Sequence, residues 1–105
     1  MPLFEHGAVR VEIDDHGFLV QPDAWTESVA AALAEADGIG ALTAEHWKVI
    51  RYLREYQARH GAAPMIRRLC VDTGFALQHI YELVPAGPAR GACRVAGLPR
   101  PTGCV

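Results

Sequence analysis

The chain reads as a mainly α domain (α+β): a small helical bundle with a helix-turn-helix-like arrangement, an N-terminal β-hairpin and a flexible C-terminal arm. Three observations carry this reading. Apolar residues recur at helical spacing from Glu27 to Leu83, and strand-like alternation is confined to the segment before them. Glycine and proline crowd the end, where four of the seven prolines fall between Pro85 and Pro101. With 105 residues, half of them hydrophobic and 21% charged, the chain has material for one core and no second domain. Residues 1–96 are therefore expected to form the body and 97–105 the arm.

Val9 to Ile13 alternates by side-chain type, Asp14-Asp-His-Gly17 supplies turn residues, and Phe18 to Val20 can return as the second strand of the hairpin. Asp23 or Thr26 can cap a helix over Glu27 to Ala36, which Asp37 to Gly40 ends. Thr43 is the N-cap of the longest helix, which runs to His60, with Glu45 in its first turn and Gly61 as the C′ residue. Its spacing places His46, Val49, Ile50, Leu53 and Tyr56 on one face and Arg51, Arg54 and Arg59 away from it.

Pro64 can open a third helix, through Asp72 and closed by Thr73-Gly74, and Phe75 to Leu83 forms a fourth, stopped by Pro85. A last short helix over Ala89 to Ala96 carries Cys93.

A net charge of −2 gives no global attraction to nucleic acid or to an anionic membrane, and no apolar run approaches the roughly 18 residues of a membrane span. Three cysteines, an odd number, behind an N-terminus without the pattern of a secretory signal point to thiols in a reducing cytoplasm. The five histidines show no CxxC, HxxxH or HExxH spacing, so neither a metal site nor a cofactor is expected. No Ser-His-Asp arrangement or phosphate-cradling glycine loop is present.

The chemistry concentrates at the end. Cys104 is the penultimate residue and Cys93 lies eleven positions before it. Seven extended residues reach on the order of 23–25 Å, enough to carry a thiol into another protein's pocket. Folded back, the arm could join Cys104 to Cys93 in a small loop, a bond worth about 3 kcal/mol in the chain-entropy model and so able to form and be reduced cyclically. Arg90, Arg94 and Arg100 surround the pair, and no Asp or Glu occurs from Pro85 onward, a charge balance that favours thiolate at Cys93. Cys70, between Leu69 and Val71, reads as a buried structural cysteine.

The rival partner is nucleic acid. Two short helices around Asp72 to Gly74 resemble a helix-turn-helix with Gln78, His79 and Tyr81 on the second, but that helix carries Glu82 and no Lys or Arg for phosphate.

The tail Cys93-Arg-Val-Ala-Gly-Leu-Pro-Arg-Pro-Thr-Gly-Cys104-Val105 resembles the hallmark of the DsrC/TusE family, the gamma-subunit family of dissimilatory sulfite reductase. Supporting matches span the chain: Asp15 to Leu19, Trp25, Leu42 to Trp47, Tyr52 to Tyr56, Pro64 to Arg67 and Gly87 to Arg90. The resemblance implies a sulfur carrier without turnover of its own, in which Cys104 takes sulfur as a persulfide and Cys93 resolves it to a disulfide or trisulfide.

It further implies a sulfite reductase-like enzyme and sulfurtransferase relay proteins as partners, with Arg67 and Arg90 flanking the docked arm beside Arg94 and Arg100. A monomer is expected. The TusE branch, which serves tRNA thiolation, lacks the cysteine at the position of Cys93, so having both cysteines points to the DsrC branch. Val71 to Tyr81 looks several residues shorter than in the family, which alters a surface where a partner would dock.

Overall fold

The structure, a computed structural model, describes residues 3–98. Alternation begins earlier than expected. Strand β1 (Leu3–His6) pairs antiparallel with β2 (Val9–Glu12), Leu3 opposite Glu12 and His6 opposite Val9, across a tight turn with Gly7 at φ 59°. The N-terminal hairpin is therefore present, but its partner strand lies upstream.

The Asp14–Gly17 turn does form, with the Asp14 carboxylate accepting from the backbone N–H groups of His16 and Phe18. Its return is a single bridge, Ile13 to Leu19. Phe18 and Leu19 are consecutive and both buried, which breaks the two-residue period a half-buried strand needs.

Helix α1 (Glu27–Ala36) is capped by Thr26, whose hydroxyl accepts from Val29 N–H at 3.2 Å. Its small side chains let it sit close against the core, with Ala30, Leu33 and Ala34 fully buried.

Helix α2 (Ala44–His60) has the expected bounds. Thr43 and His46 cap each other reciprocally, with the imidazole taking the place that Glu or Gln usually fills in a capping box. The other ring nitrogen of His46 lies 2.8 Å from the Leu83 carbonyl, tying the start of α2 to the end of the fourth helix. His46, Val49, Ile50 and Leu53 are buried, as the spacing predicts, and Tyr56 is half-buried.

Helix α3 (Ile66–Thr73) starts two residues after Pro64, which is buried outside it, because Met65 stays extended as the N-cap. Helix α4 (Leu77–Leu83) likewise starts later than Phe75, with Ala76 extended. Neither of these helices has a side-chain N-cap.

After Pro85 comes a π-helical segment, Pro88–Cys93, which continues as α-helix through Val95. The core gathers Leu33, Leu53, Leu69 and Ile80 around this last segment, whose Cys93, Val95 and Leu98 are buried with them. Each such aliphatic side chain contributes about 1.5–3 kcal/mol by leaving water. The packed body thus runs through Leu98, two residues beyond the composition boundary. Cys104 and Arg100, with the rest of 99–105, lie outside the described residues.

Candidate functional site

A helix leaves its last carbonyls without internal partners, and the way those are satisfied decides what the chain does next. Here the final helix ends in a Schellman turn. Gly97, at φ 74°, donates to the Arg94 carbonyl at 3.1 Å, and Leu98 donates to the Cys93 carbonyl at 3.1 Å. The two remaining carbonyls are met from outside the helix. Trp25 Nε1 donates to Val95 O at 3.0 Å, and an Arg54 guanidinium nitrogen donates to Ala96 O at 2.8 Å.

Arg54 also stacks over the Trp25 ring, 3.9 Å from its centroid, so the two donors brace one another. Sequence spacing places Arg54 away from the packed face of α2. The structure corrects this: its stem runs inward to reach a carbonyl 42 residues further on.

Arg94 secures the other side of the turn. Its Nε donates to Gly17 O at 2.9 Å, and a terminal nitrogen pairs with the Asp37 carboxylate. Burial pushes the Asp37 carboxyl up and Arg94 opposes it, by charge and by hydrogen bond. Its second oxygen is buried without a partner, so this carboxylate is committed wholly to Arg94. Arg94 thus braces the turn from inside, with Nε and one terminal nitrogen engaged by Gly17 and Asp37.

Cys93 opens this turn and is 0% exposed. The expected thiolate is corrected as well: burial pushes the thiol up to about 12, since an anion there would lose its hydration. Counting arginines along the chain cannot register this, because Arg94 points to Asp37 and not to the sulfur. Cys70 is only half-buried, the more accessible of the two described thiols, which corrects its reading as a buried cysteine.

Arg67 is exposed on α3 and lines an open groove with Tyr56, Met65, Ile66, Arg68 and Val71. The side chain of Arg90, together with Arg100 and Cys104, lies outside the described residues. The structure thus keeps Cys93 and Arg94 adjacent on the last helix with the guanidinium turned to Gly17 and Asp37, and places Arg67 on the exposed side of α3.

Among the described residues no group of three or more His, Cys, Asp or Glu side chains is placed to hold a metal ion. No helix there is long and apolar enough to cross a membrane. The exposed side of α4 offers Gln78, Tyr81 and Glu82, with His79 between Glu45 and Glu82, and no Lys or Arg for phosphate.

Comparisons with known proteins converge on one family. The sequence profile described as "DsrC like protein" matches residues 5–105. The chain is 46% identical over 94 residues to the gamma subunit of dissimilatory-type sulfite reductase from Nitratidesulfovibrio vulgaris, covering 90% of each chain. It is 37% identical over 111 residues to the sulfurtransferase TusE of Pectobacterium atrosepticum, covering 98% of this chain and all of that one. A chain in the crystal structure of dissimilatory sulfite reductase I superposes with a TM-score of 0.91 at 46% identity, covering 99% of this chain and 100% of its own.

Proposed function

The chain belongs to the DsrC-like protein family, and we propose that it is a cytoplasmic sulfur carrier serving a sulfite reductase-type enzyme. In this reading residues beyond the packed body form an arm. Cys104 takes sulfur as a persulfide, and Cys93 is the resolving thiol. The observation that carries it is the pair itself: a thiol one residue from the end, and a second, eleven residues before it, held at a closed helix terminus.

The discharge step balances without an outside oxidant. The Cys93 sulfur, losing its proton, attacks the sulfur that Cys104 contributes to its persulfide. The S–S bond of the persulfide breaks, the Cys93–Cys104 disulfide forms, and the terminal sulfur leaves with the electron pair as hydrosulfide, which takes up the proton. In this step the Cys93 thiol sulfur is oxidised to the disulfide level and the terminal sulfur of the persulfide is reduced to sulfide, while the Cys104 sulfur keeps its oxidation state.

The carrier needs no cofactor in this scheme. Its partners are the reductase-type enzyme and a sulfurtransferase that loads it, with Arg67, Arg90 and Arg100 as contacts around the docked arm. A relay of the TusE kind is the second reading, supported by 37% identity over nearly the whole chain. Cys93 favours the first reading over it, because discharge by an internal disulfide needs two cysteines.

Intact-mass analysis after incubation with a persulfide-donating sulfurtransferase tests the assignment. An adduct of about 32 Da per sulfur is expected on the parent and on Cys93→Ser, and none on Cys104→Ser. Disulfide closure is expected in the parent alone. A persulfide persisting on Cys104→Ser would overturn the carrier role of Cys104.

A further inference from the structure

Cys93 cannot meet another sulfur while the end of its helix stays closed, because disulfide exchange proceeds by direct approach of one sulfur to another and Cys93 has no exposed surface. What keeps it closed is specific. The helix satisfies its own carbonyls at Ala92, Cys93 and Arg94 through the backbone N–H groups of Ala96, Leu98 and Gly97. The last two, at Val95 and Ala96, depend on Trp25 and Arg54, residues 70 and 42 positions away.

Trp25 does more than donate. Its ring lies so close to Gly97 that a Cβ there would stand 2.4 Å from Cδ1, so the indole roofs the hinge of the turn. Arg54 covers the indole in its turn. Arg94 fixes the opposite side, to Gly17 and Asp37, and does not depend on either.

We propose that Trp25 and Arg54 are positioning residues for the resolving thiol: they latch the 94–98 turn that closes the Cys93 helix, and release of this latch, not unfolding of the body, admits the Cys104 sulfur. The role rests on the carrier reading for its purpose, while the latch itself is a matter of local geometry. Both carbonyls lie at a helix end and are held by side-chain donors from elsewhere in the chain, so losing those donors frees the turn, with Leu98 leaving the core and the Arg94–Asp37 anchor staying in place. Once the turn is open, the Cys93 sulfur attacks the Cys104 sulfur of the persulfide, the persulfide S–S bond breaks and hydrosulfide leaves.

The test uses the full chain carrying Cys70→Ser and Cys104→Ser, so that Cys93 is the one thiol left for iodoacetamide. Arg54→Gln removes the charge and the stacking, and Trp25→Phe removes the indole N–H while leaving a ring. Either is expected to raise the Cys93 alkylation rate by about tenfold, the loss of one hydrogen bond to a charged or buried group. The rate should stay flat in low urea, the signature of local opening. Arg54→Lys should restore part of the protection.

An unchanged rate in both variants overturns the latch. So does a rate that climbs steeply with urea from zero denaturant, which would mean that the residues act only on global stability. Sulfur loading of Cys104 in the otherwise unaltered chain is measured alongside. If loading fails while the latch responds, the carrier reading falls and the latch stands; if loading succeeds while the latch does not respond, the reverse holds.

Discussion

The turn at 94–98 and the α3–α4 hairpin both rest on a left-handed glycine that closes a short helix, yet they end as opposite kinds of surface. Gly97 is roofed by Trp25, and the carbonyls before it are taken by donors from distant parts of the chain. Gly74 faces open space, and the hairpin around it exposes Met65 (67%) and Val71 (71%). The hydroxyl of Thr73 serves its neighbours, donating to Leu69 O and accepting from Phe75 N–H. Long-range donors seal the helix end that carries the buried Cys93, whereas local bonding leaves the other open to solvent with Cys70 half-buried. The difference lies in what reaches the helix end from elsewhere, not in the turn residue.

The largest consequence is at alkaline pH. The folded-state value for Cys93, about 12, lies above its ordinary 9.0. The stability conferred by keeping this thiol neutral and buried is therefore complete below pH 9 and is lost as pH rises towards 12. The loss amounts to about 4 kcal/mol at the upper end. Urea unfolding of the parent and of Cys93→Ala across this window measures it: the parent should lose that much more than the variant. Parallel curves would mean that Cys93 is accessible in the folded state, and the contrast with Cys70 would collapse.

The glycines sharpen the same contrast. Gly97→Ala meets both a left-handed backbone and the Trp25 ring at 2.4 Å, so a loss of about 2–5 kcal/mol is expected. Gly74→Ala, at φ 77° with nothing within 4 Å, meets the backbone term alone. It should lose about 1–2 kcal/mol. Equal losses in thermal or urea unfolding would show that Trp25 yields freely and does not roof the turn.

How much of this was legible in the sequence follows from the range of the forces. Helix α2 was readable end to end, because Thr43, the spacing from His46 to Leu53 and Gly61 all act within a few residues of one another. The family was readable from the tail and from short matches along the chain. The hairpin was readable in kind but not in register, since Phe18 and Leu19 resemble strand residues until both are seen to be buried. Arg54 and the character of Cys93 were not readable at all. Arg54 finds its partner 42 residues away on a backbone carbonyl, which no side-chain pattern marks. The charge state of Cys93 depends on burial, which the count of nearby arginines does not measure. Trp25 stood out as a family match, but its role as a donor to Val95 O emerges only from the fold.

The smallest expected effect belongs to the open region. His79 on α4 lies 3.0 Å from Glu45 of α2 and 3.4 Å from Glu82 of its own helix. Hydrogen bonds to Glu45 first and Glu82 second raise it above its ordinary 6.5. A raised value means that the imidazolium is favoured in the folded chain. The contribution is thus fully present below pH 6.5 and disappears as pH rises through the folded-state value.

Because these groups stand in water, solvent and salt screen them, and the change should be modest and diminish as salt is added. An NMR titration of the His79 ring protons reads the shift directly, and Glu45→Gln should return it most of the way. If Glu45→Gln leaves the titration where it was, the hairpin is not tied to α2 by this contact. The exposed face would then be held by its apolar residues and by the Tyr52–Asp72 hydrogen bond between α2 and α3, leaving the two ends of the molecule still further apart in how they are secured.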